Sequence, residues 1–298
     1  MTNTKLIPRI VGGLGNQLFC YAAARRLSLA NKAELVIDDV SGFGRDHDYQ
    51  RSYQLDHFNI PCRKATAAER LEPLSRFRRY LKRRFNRHLP FEARTLVQQE
   101  GIDFDARLLH VKPRGTVYLE GYWQSEDYFK DVEETIRADL NVQPPTDTCN
   151  LDMAAQIRGS LAVALHMRFF DAPGGSDGIN NAPGDYYTRA LAKMESLVPG
   201  AHYFVFSDQP EAARERISLP DNRVTLISHN AGNESAYADL WLMTLCRHFI
   251  IANSTFSWWG AWLAGQFPKH VIAPGFEMRR GKMSWGFKGL LPEEWIRL

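Results

Sequence analysis

Leu161-Ala162-Val163-Ala164-Leu165-His166-Met167-Arg168-Phe169-Phe170-Asp171 is the stretch from which the architecture follows. Leu161 to Leu165 is unbroken apolar sequence, closed by the polar His166. A strand wet on one face alternates apolar and polar residues. A continuous run marks a strand covered on both faces, as in parallel sheets flanked by helices. The residues downstream keep to that logic. Asp185 to Leu197 carries a helical pattern, His202 to Phe206 reads as a strand, and Pro210 to Ile217 as a helix with proline in its first turn. Val224–Ile227, Phe249–Ala252 and Val271–Ala273 read as further strands, separated by helices over Ser235–Cys246 and Trp258–Ala264. Strands and helices in alternation predict a parallel sheet with helices on both faces.

Upstream, Asn141-Val142-Gln143-Pro144-Pro145-Thr146-Asp147-Thr148 interrupts the pattern, with two prolines among small polar residues. It is the best linker in the chain. It divides 298 residues into regions 1–148 and 149–298, each near the ~150 residues of an ordinary domain. The first region opens with a strand ending at Ile10-Val11, a turn Gly12-Gly13-Leu14-Gly15-Asn16-Gln17, a helix from Leu18 to about Ala30, and a strand Leu35–Ile37. A strand at Thr116–Leu119, a loop Glu120-Gly121-Tyr122-Trp123-Gln124-Ser125, and a helix from Glu126 to about Leu140 close it. The Gly13-x-Gly15 turn invites a dinucleotide reading. The third glycine of that fingerprint would fall on Leu18, so the signal fails although Asp38 lies at a suitable distance.

A formal net charge of +3 is too small to argue for a nucleic-acid partner, and none is expected. Cys20, Cys62, Cys149 and Cys246 form no Cys-x-x-Cys pair and no zinc-ligand spacing, so they read as reduced thiols of a cytoplasmic protein. Met1 to Arg9 lacks the apolar stretch of a signal peptide. The most apolar long stretch, Phe249 to Phe267, is interrupted by Asn253, Ser254, Thr255, Ser257 and Gln266, and falls short of a span of ~20 apolar residues. The protein is expected to be soluble or at most peripheral. One segment favours the second alternative. Arg76, Arg78, Arg79, Lys82, Arg83, Arg84 and Arg87 crowd around Phe77, Tyr80, Leu81 and Phe85. Stretch 76–87 reads as a solvated helix with an apolar face; the sharper readings are contact with the inner face of an anionic membrane or with an anionic glycan acceptor, RNA being the remote one.

Ligands of parallel sheets bind beyond the carboxyl ends of the strands, so the residues just after each strand matter most. After the Leu161 strand stand His166, Arg168 and Asp171. An arginine fork meets two oxygens of a diphosphate at once, while the bland alternative is a surface arginine paired with Asp171. After the His202 strand stand Ser207 and Asp208, either a carboxylate for a nucleoside or a helix cap before Pro210. After the Phe249 strand, Asn253-Ser254-Thr255-Phe256-Ser257 opens a helix whose N-terminal N–H groups suit an anion and also need capping. Trp258, Trp259 and Trp262 on that helix read as core. Asp103-Phe104-Asp105 has the form of a metal-binding pair, but no second cluster of carboxylates or histidines supports it, and no metal site is expected.

Taken together, these segments resemble one family. Gly12-Gly13-Leu14-Gly15-Asn16-Gln17-Leu18-Phe19 is similar to the N-terminal signature of glycosyltransferase family eleven, the α-1,2-fucosyltransferases. Gly121-Tyr122-Trp123-Gln124-Ser125 and the run from Asp239 through Asn253-Ser254-Thr255-Phe256-Ser257-Trp258-Trp259 to Leu263 resemble it too, so that the likeness spans residues 10 to about 275. The resemblance implies an α/β chain of GT-B type, two Rossmann-like domains facing a cleft. It implies a mainly acceptor-side domain over 1–148 and a GDP-fucose-binding domain over 149–298. Fucose would be transferred with inversion, without metal and without a cofactor, GDP-fucose being a co-substrate. The acceptor would be O2 of a terminal β-galactoside on a glycan or polysaccharide precursor. Arg168 would neutralise the β-phosphate and His166 support it. Asp208 would meet the nucleoside, Asn253, Ser254, Thr255 and Phe256 the diphosphate and its surroundings, and Gly15, Asn16 and Gln17 would reach the donor from the other domain. Asp171 is the candidate base. Many members carry His-x-Arg-Arg-Gly-Asp, whereas here Phe169 and Phe170 follow Arg168, so a second positive charge is missing from that segment.

Overall fold

The structure is a computed structural model in which residues 4–44, 46, 50–170, 181–265, 267–280 and 283–298 are described. The chain divides into two units: residues 1–141 with 288–290, and residues 142–287 with 291–298. The expected boundary at 148 thus lies earlier, because the end of the proline segment belongs to the second unit, where the Asp147 side chain caps a helix by accepting from Asn150 N–H at 2.9 Å.

The first unit is built on five parallel strands, which lie across the sheet in the order 63–64, 34–37, 5–8, 116–120 and 96–98. In chain order its elements are β1 (Lys5–Pro8), α1 (Leu14–Asn31), β2 (Glu34–Ile37), β3 (Arg63–Lys64), α2 (Ser75–Asn86), β4 (Leu96–Gln98), β5 (Thr116–Glu120) and α3 (Glu133–Asp139). β1 ends at Pro8, short of the apolar Ile10-Val11, and Ile10 N–H is instead tied to Asp38 C=O at 3.1 Å. α1 begins at Leu14 rather than Leu18 and is buried over most of its surface. Burial of Gly15 and Gln17 along with the apolar stripe erases the polar face that would have marked its start. The helix expected from Glu126 is two 3₁₀ turns, Glu126–Tyr128 and Lys130–Val132, before α3 begins.

α2 departs most from expectation. Its buried face is its polar one. Arg79 is buried and donates to Asp38 Oδ2 at 2.6 Å and Glu120 Oε1 at 2.8 Å, both carboxylates being buried themselves. Arg83 also pairs with Glu120, and Asn86 Oδ1 accepts Thr95 N–H at 2.6 Å. Burying two carboxylates requires cations, and the arginines reaching down from α2 supply the direct ion pairs, with Arg9 adding its charge. The helix's aromatic residues therefore point the other way.

The second unit holds α4 (Thr148–Arg158), β6 (Ala162–Met167), α5 (Gly184–Leu197), β7 (His202–Ser207), α6 (Pro210–Glu215), β8 (Val224–Ile227), α7 (Ala236–Thr244), β9 (His248–Ile250), α8 (Thr255–Leu263), β10 (Val271–Ala273), an antiparallel pair β11 (Met278–Arg280) and β12 (Met283–Trp285), and β13 (Ile296–Arg297). Its six-stranded sheet is parallel in the order β13-β10-β9-β6-β7-β8. Trp258 and Trp259 are fully buried and Trp262 nearly so, with Trp295 against Trp258 at a centroid distance of 5.6 Å, so the tryptophans are core as expected. Residues 288–290 return to the first unit: Lys288 C=O accepts Phe104 N–H at 3.0 Å, and Lys288 N–H donates to Asp103 Oδ1 at 3.1 Å. Asp105 takes Arg107 N–H and its guanidinium. Both carboxylates of the Asp-x-Asp pair therefore have structural employment. All four cysteines are free thiols, and no helix among the described residues is long and apolar enough to cross a membrane.

Candidate functional site

β6 lies between β7, which follows it in sequence, and β9, which comes two strands later. The chain therefore changes direction across the sheet between β6 and β9. At such a switch point the loops leave a crevice beyond the strands' carboxyl ends. His166 stands at the end of β6 and Phe256 in the first turn of α8, which follows β9; their rings lie 5.6 Å apart, tilted by 51°. Burial, with Arg168 adding its charge, pushes the His166 imidazole down to about 3, so the ring is neutral at physiological pH. Its Nδ1 is buried with no hydrogen-bond partner among the described residues. A buried polar atom of this kind requires a hydrogen-bonding partner, a water or a bound group.

Arg168 follows β6 and is about one-third exposed. Its Nη1 lies 3.0 Å from Asp208 Oδ2 and its guanidinium 5.5 Å from the Phe170 ring. The other Asp208 oxygen accepts Phe169 N–H at 3.0 Å. Asp208 thus ties the loop after β6 to the loop after β7 and aims the arginine, while Ser207 Oγ accepts Gln209 N–H at 3.0 Å before α6. Arg216, just beyond α6, places its guanidinium 4.6 Å from the Phe169 ring. A second cation, absent from the sequence segment, thus lies over Phe169 from another element.

Asn253 is buried and Ser254 caps α8, its Oγ accepting Phe256 N–H at 3.3 Å. Thr255 is the first helical residue. The N-terminus of α8 thus stands at the carboxyl end of β9, next in the sheet to the strand that Arg168 follows. Asp171 lies outside the described residues.

The first unit has its own switch point, between β1 and β5. Gly12 to Gln17 follow β1, and Gly121 to Gln124 follow β5. Asn16 Oδ1 accepts from Gln124 Nε2 at 2.7 Å across it. Gly12 has φ +80, and a Cβ there would meet Asn16 Nδ2 at 2.8 Å and the Tyr122 ring at 3.2 Å, so only glycine lets the loop close on Asn16. Gly15 is buried in α1. Gln17 is fully buried: its Nε2 donates to Gly12 and Ser52 carbonyls, and its Oε1 accepts Gln54 N–H. Gln17 therefore shapes the loop from within and has nothing left to offer a substrate, a correction to its expected role.

Three residues went unsingled in the sequence. Gln124 lies inside a quoted motif but only the fold sets it against Asn16. Arg216 is far from the Arg168 segment in sequence. Asp239, in the first turn of α7, is a carboxyl pushed up to about 7 by burial, against the pull of the Asn230 amide that donates to it at 2.9 Å. Asn230 and His229 follow β8 and join Asn150 in one polar network at the same carboxyl edge of the sheet. Asp38, by contrast, is wholly committed to Arg79 and to Ser41 Oγ and N–H.

A parallel α/β unit with an arginine and a helix N-terminus at its switch point has the arrangement in which anionic groups are bound by such sheets. Residues 10–280 match the family model described as glycosyl transferase family 11, and the chain belongs to that family; it is a glycosyltransferase. Among curated proteins it is 27% identical to an alpha-1,2-colitosyltransferase of Escherichia coli, over 98% of each chain. It is 26% identical to the O-antigen biosynthesis glycosyltransferase WbnK of Escherichia coli, over 88% of this chain and 91% of that one. Among solved structures, the fucosyltransferase NodZ from Bradyrhizobium aligns with a TM-score of 0.53 at 14% identity, over 89% of this chain and 93% of that one. That likeness is one of fold, an α/β architecture of GT-B type.

Proposed function

We propose that the protein transfers L-fucose from GDP-fucose, with inversion and without metal, to O2 of a terminal β-galactoside on a glycan or polysaccharide precursor. The supporting observation is that Arg168, aimed by Asp208, and the N-terminus of α8 follow the neighbouring strands β6 and β9 at the switch point of the sheet. Breaking the bond to the sugar leaves negative charge on the departing diphosphate. Donors fixed in advance where that charge develops usually supply the largest share of catalysis. Arg168 neutralises the β-phosphate, with Arg216 as the second cation. Ser254, Thr255 and the N-terminus of α8 hold the diphosphate, Asn253 and Phe256 line its pocket, and the neutral His166 turns Nδ1 to the donor. Asp208 acts as positioning partner of Arg168, and Asp239 takes over the nucleoside: a carboxylate accepts the paired N–H groups of a guanine edge. Gly15 and Asn16, with Gln124, serve the sugar or acceptor from the first unit. Asp171 serves as base for the acceptor hydroxyl, or orients Arg168. The first unit is the acceptor-side domain and the second binds the donor. The enzyme works in the cytoplasm, at the inner face of the membrane where lipid-borne precursors present their sugars.

One relative is named for colitosyl transfer, which makes the donor sugar the point to test. GDP-fucose and GDP-colitose are offered separately with a panel of galactose-terminated acceptors, GDP release is followed, and the product linkage is determined. Release of GDP in step with acceptor use, with GDP-fucose and at O2, is expected. Preference for GDP-colitose replaces the donor. Cleavage of glycosides without nucleotide sugar makes the chain a hydrolase, a reading weakened by the loss of Asp38 to Arg79.

A further inference from the structure

We infer that the outer face of α2 docks the enzyme onto an anionic phospholipid surface. The helix is turned inside out relative to an ordinary surface helix, which hides apolar residues and shows polar ones. Here Arg79, Arg83 and Asn86 face the sheet, while Phe77 and Phe85 are 58% and 70% exposed. Phe77, Leu81 and Phe85 recur every fourth residue and form one stripe. Tyr80 beside it is 58% exposed, and Leu74 at the helix start 69%. By helical position Arg78 borders one side of the stripe and Arg84, Arg87 and Arg76 the other. All four arginines are exposed, and none forms an ion pair among the described residues.

Exposed aromatic residues at this density need an apolar partner, and unpaired arginines beside them need anions. A bilayer carrying anionic headgroups offers both at the right depths: rings enter the boundary of the acyl region and guanidinium groups stay among the phosphates. A second copy fits less well, since a two-fold contact through this face would set arginines against arginines. The inference stands apart from the donor chemistry, because neither the lipid nor its docking face involves the β6–β9 crevice.

The test is flotation of the full chain with vesicles of phosphatidylcholine alone or mixed with phosphatidylglycerol, in the absence of any sugar nucleotide. Binding is expected only to the mixed vesicles, and to weaken when salt is raised. Phe77→Ser/Phe85→Ser should abolish it, and Arg78→Glu/Arg84→Glu should reduce the partition coefficient by roughly tenfold or more. Unchanged melting temperatures and GDP release with soluble acceptors establish that the variants fold. Equal binding to both vesicle types, no binding, or variants that float like the parent would overturn the proposal. So would a concentration-dependent dimer abolished by the serine substitutions in a chain that ignores vesicles.

Discussion

Replacing Arg168 by alanine tests the proposed site most directly. The arginine is about one-third exposed and its pair with Asp208 is therefore partly screened, so its loss should cost the fold no more than about 1 kcal/mol. Activity should suffer far more. Losing one preorganised donor to a developing charge typically costs about 10²- to 10³-fold in rate. A further penalty arises here, because Asp208, tied to Phe169 N–H, stays behind as an uncompensated negative charge. At an effective dielectric constant of about 20, a carboxylate roughly 6 Å from a phosphate charge repels it by about 3 kcal/mol. Arg168→Ala should therefore lower kcat/KM by more than 10³-fold, roughly. Adding Asp208→Asn to that variant should recover tenfold or more, roughly, by removing the repulsion. Asp208→Asn alone should be harmful, since it frees the arginine to wander. Initial rates of GDP release, with melting temperatures measured alongside, decide the matter. An Arg168→Ala enzyme within tenfold of the parent, or a double variant no better than the single one, would remove Arg168 from the diphosphate site.

The raised Asp239 carboxyl makes guanosine binding pH-dependent: the carboxylate is the form that accepts N–H groups, and with a folded value of about 7 its population grows from about one-tenth at pH 6 to nine-tenths at pH 8. Guanosine affinity by calorimetry should rise about tenfold over that range and be flat in Asp239→Asn; a flat parent profile removes Asp239 from the base site. The same shift means that the free enzyme loses stability as pH climbs from the unfolded value of 3.8 toward 7. Arg79→Met strands the buried Asp38 carboxylate and leaves Glu120 with Arg83, and should cost about 3–5 kcal/mol in urea unfolding, with Asp38→Leu restoring part of the loss. Gly12→Ala should impair both stability and turnover, whereas Gly232→Ala, at φ +85 with nothing within 4 Å of the added Cβ, should share only the backbone strain of ~1 kcal/mol; equal effects would show that closure on Asn16 does not matter.

The order of the second unit was open to reading because each strand there is a continuous apolar run, and burial on both faces leaves few other ways to fold such a run. Arg168, His166, Asp208 and the Ser254 segment could be picked out because a parallel sheet puts strand-end residues at its ligand edge whatever the details. The first unit was less legible. α1 conceals its start by burying Gly15 and Gln17, β3 and β4 are two and three residues long, and the helix after Gln124 is broken into 3₁₀ turns. Residues 288–290 crossing back to the first unit left no trace in composition.

What the sequence alone determined, then, is the family, the alternation of strands and helices, and the polar residues each strand delivers to its carboxyl end. These depend on neighbours in the chain and on periodicity. It took the fold in three dimensions to set Asp208 against Arg168 and Arg216 over Phe169, to spend Gln17 on its own loop, and to turn Arg79 and Arg83 of α2 inward and its aromatics out. Each of those outcomes depends on which distant group satisfies a buried charge or donor. Such pairing is settled by burial and distance in space, over separations in sequence that carry no pattern.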